Sequence, residues 1–155
     1  MSIRKLRFEL VPRSMWGKNY RNLAPSISWQ ELRSIVMKDC CEVCGSTQPP
    51  FHCHEKWEFT QVSGVRVQKL LGLECCCVDC HDIHHIGRTN SIATKRRIAY
   101  LKQHYCRVNL CTLEDYVVDK HEVFEVWRER SWHPWVLDVS VALSILSKGG
   151  MNESI

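Results

Sequence analysis

The stretch Glu74 to His85, ECCCVDCHDIHH, carries four cysteines and three histidines in twelve positions. Upstream, in CCEVCG, Cys41 and Cys44 repeat the C-x-x-C spacing of Cys77 and Cys80. Two such pairs suit a tetrahedral zinc centre, because each turn delivers two sulfurs to an ion that takes four soft ligands at about 2.3 Å. Gly45, just after the first pair, supplies the backbone freedom that a tight knuckle turn needs. Cys41, Cys44, Cys77 and Cys80 are therefore the expected ligands of a structural zinc. Cys40, Cys75 and Cys76 fall out of register, and Cys53, Cys106 and Cys111 read as small buried residues. A disulfide framework would be the other use of ten cysteines. The opening MSIRKLRFELVPRS lacks an apolar leader core, which points to the cytoplasm, where thiols stay reduced.

His81 directly follows Cys80, and His85 comes four residues later. On a helix that spacing puts two imidazoles on one face, a ready chelate for a divalent cation. His84 points about a hundred degrees away from His85 and is not required by such a chelate. A two-imidazole site still needs a group to activate a nucleophile. FHCHEKWEF offers His52, His54 and Glu55. In a strand His52 and His54 share one face, while Cys53 and Glu55 share the other.

The elements that must position these groups can be read from pattern. FHCHEKWEFTQ and GVRVQKLL read as two short strands joined near Ser63–Gly64. Helical periodicity follows over about 79–86 and again over about 90–105. Ser28, with Glu31 three residues on, predicts a helix over about 29–38. Thr112 predicts the start of a long amphipathic helix whose apolar residues, Leu113, Tyr116, Val117, Val123, Phe124 and Trp127, recur mostly at helical spacings. Residues 1–13 alternate loosely enough for a strand, and a loop containing Pro25 follows. VLDVSVALSIL fits a helix or a strand, and the tail KGGMNESI reads as frayed. Trp57, Trp127 and Trp135 are expected in the core.

At 155 residues the chain fits a single domain that can bury its own core. It has no apolar run long enough to span a membrane. Its charge is segregated: residues 1–27 hold six Lys/Arg against one Glu, and residues 86–113 hold six Lys/Arg and no acid. Two basic segments on an otherwise acidic body suit a polyanion as well as two solvated faces.

Taken in order, the knuckle, the HCHEKW strand, a second strand and the CVDCHDIHH segment resemble an HNH endonuclease. The longer run HEKW…VQKLLGLECCCVDCHDIHHIGR resembles a phage and bacterial subgroup of that family with an H-E-x-W strand motif. The resemblance implies an α+β fold, with a ββα-metal core over about 38–90, a four-cysteine zinc knuckle and surrounding helices. It places a helical extension at about 91–147 of one domain, 1–155. It further implies metal-dependent hydrolysis of DNA phosphodiester bonds, by nicking or double-strand cleavage, with RNA a further possible partner. His54 would be the general base, and His81 and His85 would hold a divalent Mg²⁺, Mn²⁺, Ni²⁺ or Zn²⁺. A third ligand would come from Glu55, His52 or Cys53; alternatively His54 itself ligates and Glu55 is the base. The family's middle Asn is absent, and Gln68 is the nearest amide to take its place. Arg88, Lys95, Arg96 and Arg97 would contact phosphates. Two other classes fit the same residues: a catalytically inactive, zinc-stabilised nucleic-acid-binding module, and a redox or metal-sensing regulator using the surplus thiols.

Overall fold

The computed structural model describes residues 3–23 and 26–151. Pro25 and residues 152–155 lie outside that range. Within it the chain is α+β: a three-stranded sheet with helices on both faces. Strands β1 (Phe51–Val62) and β2 (Val65–Cys77) form an antiparallel hairpin. Ser63 and Gly64, at φ 50° and 80°, make its two-residue turn, the left-handed geometry that matches strand twist. β2 is longer than expected and runs through Cys77, where it passes straight into α3 (Val78–His84).

One irregularity sets the faces. The register jumps from Lys56↔Gly72 to Trp57↔Leu70, so Leu71 is an extra residue bulged out of β2. The bulge returns Leu70 to the face that carries Leu73. There they pack with Trp57, Trp29 and Leu32 in one core. The other face carries His52, His54, Glu74 and Cys76 and looks onto α3.

Helix α3 stops at His84. His85 has φ −95° and ψ 38°, and α4 (Ile86–Ile92) begins after it. Next come α5 (Lys95–Asn109) and α6 (Leu113–Ser131). Thr112 caps α6 as expected, in a full capping box with Asp115. Of the apolar stripe on α6, Leu113 and Val117 are 58% and 60% exposed, and Tyr116 alone is fully buried. The VLDVSVALSIL segment is both structures in turn: β3 (Val136–Asp138) pairs parallel to β2, and α7 (Ser140–Met151) follows and continues through Lys148.

The N-terminal segment corrects its expectation. No strand forms before residue 51 among the described residues. Residues 3–12 bend at Lys5–Leu6 and form no regular element, and their backbone is held outside any sheet: the Asn109 side chain bonds both the N–H and the carbonyl of Leu6, at 2.9 and 2.8 Å. The Glu9 N–H donates to the His84 carbonyl at 2.9 Å. Leu6 and Phe8 are buried, and Phe8 stacks on Tyr105 at 4.7 Å between centroids. The segment thus closes the main core, which also contains Cys76, Ile83, Ile86 and Leu101. A turn at Arg13–Met15 leads to α1 (Tyr20–Leu23). The next helix, α2, spans Ser26–Val36, so Ser28 lies inside it rather than capping it.

Candidate metal centres and the cavity beside them

The four expected cysteines converge. Their sulfurs lie within 4.8 Å of one another, and Cys44 Sγ to Cys77 Sγ is 3.7 Å. Four sulfurs at about 2.3 Å from one ion stand about 3.8 Å apart in a tetrahedron, so the cluster fits a metal such as zinc. The reason is local. The Cys41 turn is closed by Gly45 N–H to the Cys41 carbonyl at 2.9 Å, with Gly45 at φ 78°. Glu42 then pins the turn to β2, through its own N–H to the Cys75 carbonyl and its carboxylate to the Cys75 N–H, at 2.8 and 2.7 Å. Cys77 and Cys80 meet it from the strand–helix junction. Hydrogen bonds from Cys77 and Cys80 hold the Cys41 thiol far below its ordinary range.

A further pair supports this cluster. His104 on α5, buried, places Nε2 3.3 Å from Cys80 Sγ. The Arg107 guanidinium donates to His104 Nδ1 at 3.2 Å. Nδ1 is therefore the acceptor, Nε2 carries the hydrogen, and the imidazole donates to the Cys80 sulfur.

The second cluster is made of imidazoles. One ring nitrogen from each of His54, His81 and His85 lies within 4.8 Å of the other two. The His81 and His85 rings are 4.6 Å apart between centroids, and the His85 N–H still bonds the His81 carbonyl at 3.1 Å across the helix break. Burial first, and the neighbouring histidines second, push His81 down to about 2 and His85 down to about 4. Burial likewise lowers His54. Near neutral pH all three are uncharged and offer lone pairs, the state that metal ligation requires. His52 joins from the same strand face, stacked on His81 at 4.6 Å.

Glu9 completes the site from outside the strand–helix core. Its carboxylate accepts from His54 Nε2–H at 2.8 Å. Burial would raise this carboxyl, but the His54 hydrogen bond and the fields of His54, His84 and Arg7 overcome it and hold Glu9 below the ordinary carboxylate range. With Nε2 committed to Glu9, Nδ1 of His54 is a buried lone pair without a hydrogen-bond partner. Glu9 is the lone acid among residues 1–27, flanked by Phe8 and Leu10, and that isolation was its one signal in the sequence.

His84, set aside on helical geometry, belongs to the site. It is buried, stacks on His54 at 4.2 Å and donates Nδ1–H to the Arg7 carbonyl at 2.9 Å. With Glu9 and His54 it forms a second group of three whose ligand atoms lie within 4.8 Å. Its ring turns inward because the N-terminal segment covers that side of α3.

Gln68 is not brought to the cluster. It pairs with Phe59, whereas His54 pairs with Glu74, so the two are roughly 16 Å apart along the hairpin. Gln68 also shares the Leu70 face, opposite His54. It is fully buried there, with both side-chain polar atoms unpaired. Glu55 lines the same cavity as His54, but its carboxylate accepts the Arg21 N–H at 3.1 Å from the other strand face.

Among the basic residues, Arg88 is exposed and lines a cavity of about 320 Å³ over the histidine cluster, with Arg21 also on the wall. Lys95 and Arg96 are exposed at the start of α5. Arg97 is committed elsewhere: it binds Asp79 and Asp82 at 2.7 Å each and fastens α5 to α3. Trp57, Trp127 and Trp135 are half-buried rather than central. Among the described residues no helix is long and apolar enough to cross a membrane. No family model, no curated protein and no solved structure matches the chain.

Proposed function

We propose that this chain is a metal-dependent, HNH-type endonuclease that hydrolyses phosphodiester bonds of DNA. The observation that carries the reading is the histidine cluster: three uncharged imidazoles within 4.8 Å, one of them with a bare Nδ1 and an Nε2–H held by a carboxylate. That is the arrangement of a base or ligand whose tautomer is fixed by its second nitrogen.

In this reading Cys41, Cys44, Cys77 and Cys80 hold a structural zinc that fixes the β2–α3 junction. His81 and His85 would hold the catalytic divalent cation. Such a cation supplies charge neutralisation for a phosphate under attack. His54 Nδ1 takes the proton from an attacking water, and Glu9 keeps the ring oriented and stabilises the imidazolium that forms. Arg88, with the exposed Lys95 and Arg96 at the start of α5, attracts and positions the phosphate backbone. A second assignment is favoured by the mutual 4.8 Å spacing: His54 as the third ligand. A zinc-stabilised module that binds DNA without cutting it is the competing function.

The test is supercoiled-plasmid nicking with Mg²⁺, Mn²⁺, Ni²⁺ or Zn²⁺, on wild type, His54→Ala and His85→Ala. Wild type should nick with at least one metal and both variants should not. If His54→Ala still takes up Mn²⁺ at the histidine site, His54 is the base; if uptake is lost with nicking, it is a ligand. Wild type that binds plasmid but nicks with none of the four metals would establish the non-cutting module.

A further inference from the structure

A second cavity, of about 520 Å³, lies on the other side of His85, between the N-terminal segment and α6. Its walls are largely apolar: Leu10, Val11, Gly87, Phe124 and Trp127. It shares Glu9, Val11, Trp16, His85 and Arg88 with the cavity over the histidine cluster. Trp16 stands at the boundary between the two and is 63% exposed. Its indole N–H donates to the Val11 carbonyl at 3.0 Å. The Trp127 N–H reaches that same carbonyl at 3.0 Å. Both indoles therefore have their polar edge tied down.

We propose that this cavity is a nucleobase subsite. It would take an unstacked base adjoining the phosphate that lies against the histidine cluster, packing it on Trp16 with Trp127 behind. The inference rests on the nuclease reading and adds to it a preference for unpaired strands. Three features support this occupant. Aromatic and aliphatic walls suit the faces of a base, and an anchored indole loses little freedom on stacking. Arg88, common to both cavities, stands where the connecting phosphate must pass. Arg21, on the wall of the adjoining cavity, adds a second positive charge. Glu9 also lines both cavities, and Arg88 on the same walls opposes its negative charge. A base already unpaired enters without the cost of breaking duplex stacking.

The experiment uses the full zinc-loaded chain with Ca²⁺ and short single-stranded oligonucleotides carrying 2-aminopurine at successive positions. In wild type, fluorescence should be quenched at one position. Trp16→Ala should restore it and weaken binding about fivefold or more. Ser91→Trp, at an exposed cavity-lining position, should do the same by filling the space. An abasic residue at that position should weaken wild type by a similar factor and leave both variants unaffected. Intact nicking with no position-specific quenching, or equal sensitivity to the abasic residue in all three proteins, overturns the subsite and spares the nuclease reading. Failure to bind nucleic acid at all overturns both.

Discussion

Glu9→Gln tests how the site is held together. Glu9 reaches His54 from 45 residues away, at 2.8 Å, with 16% of its side chain exposed against 2% for His54. A hydrogen bond to a charged group in such a setting contributes about 1.5–3 kcal/mol, or roughly 10- to 150-fold in rate if it is fully expressed in the transition state. Glutamine keeps the shape but loses the charge that steadies an imidazolium. Plasmid nicking by Glu9→Gln should therefore fall about 10- to 150-fold at saturating metal, and Glu9→Ala should fall at least as far. The pH profile gives an independent readout. Glu9 raises the proton affinity of His54, while burial and His84 lower it, and Glu74 also raises it. Removing Glu9 should shift the acidic limb of the rate profile, set by the base, to lower pH. Arg7, Glu74, His81, His84, His85 and Arg88, the other charged and titratable groups around this pair, are unchanged in the variant. Full activity in Glu9→Gln with an unmoved acidic limb would refute the assigned role of the Glu9–His54 pair, whatever else the site does.

Further consequences can be checked in the same preparation. His104→Phe should release zinc to a chelator about tenfold faster or more, as expected when a donor to a ligating sulfur is removed; an unchanged release rate would show that the His104–Cys80 contact is incidental. Cys44→Ser should lose tight zinc and unfold at a lower denaturant concentration, read by zinc content and urea melts together. Arg88→Ala should flatten the salt dependence of DNA affinity by about one unit of slope. Arg97→Ala should leave that slope alone and instead destabilise the fold by about 1 kcal/mol, since its partners are half-exposed carboxylates. In acid, His81 and His85 resist protonation down to about 2 and about 4 in the fold, but take protons near 6.5 when unfolded. Protein with only its zinc bound should therefore lose stability as pH falls below 6.5, by up to about 1.4 kcal/mol per unit for each histidine. The contribution of His85 should stop growing near pH 4. Urea melts at pH 7 and 5 on wild type and His85→Asn would show the slope and its reduction.

Most of what was legible in the sequence was local. The two C-x-x-C pairs, the Ser63–Gly64 turn and the Thr112 cap each depend on a few neighbouring residues, and each is where the pattern put it; His81 and His85 also meet, although the helix expected over about 79–86 ends at His84. What was hidden depends on pairing between distant segments. Gln68 sat plausibly on the second strand, but one bulged residue, Leu71, fixes which face it takes, and no periodicity marks a bulge in advance. His84 looked peripheral on an isolated helix; the Glu9 and Arg7 backbone covering that side makes it internal. Arg97 looked like one more cation in a basic run until α5 packed it against Asp79 and Asp82. Glu9 itself sits in a segment whose alternation resembles a strand but whose partners are side chains.

The order in which the chain is made adds a further constraint. Leu6 waits for Asn109, Arg4 for Asp119 and Arg13 for Ser131, partners 103, 115 and 118 residues downstream. At ribosomal speeds of about 5–20 residues per second, roughly 5–20 s separate Leu6 from its partner. The hairpin and the cysteine turns are complete well before then, so a nascent chain can take up zinc while its N-terminal segment is still undocked. Glu9 reaches His54 only when that segment docks. Under the proposed function, the cysteine turns and the histidine cluster can form before the anchors of the N-terminal segment at Asn109, Asp119 and Ser131 have been made.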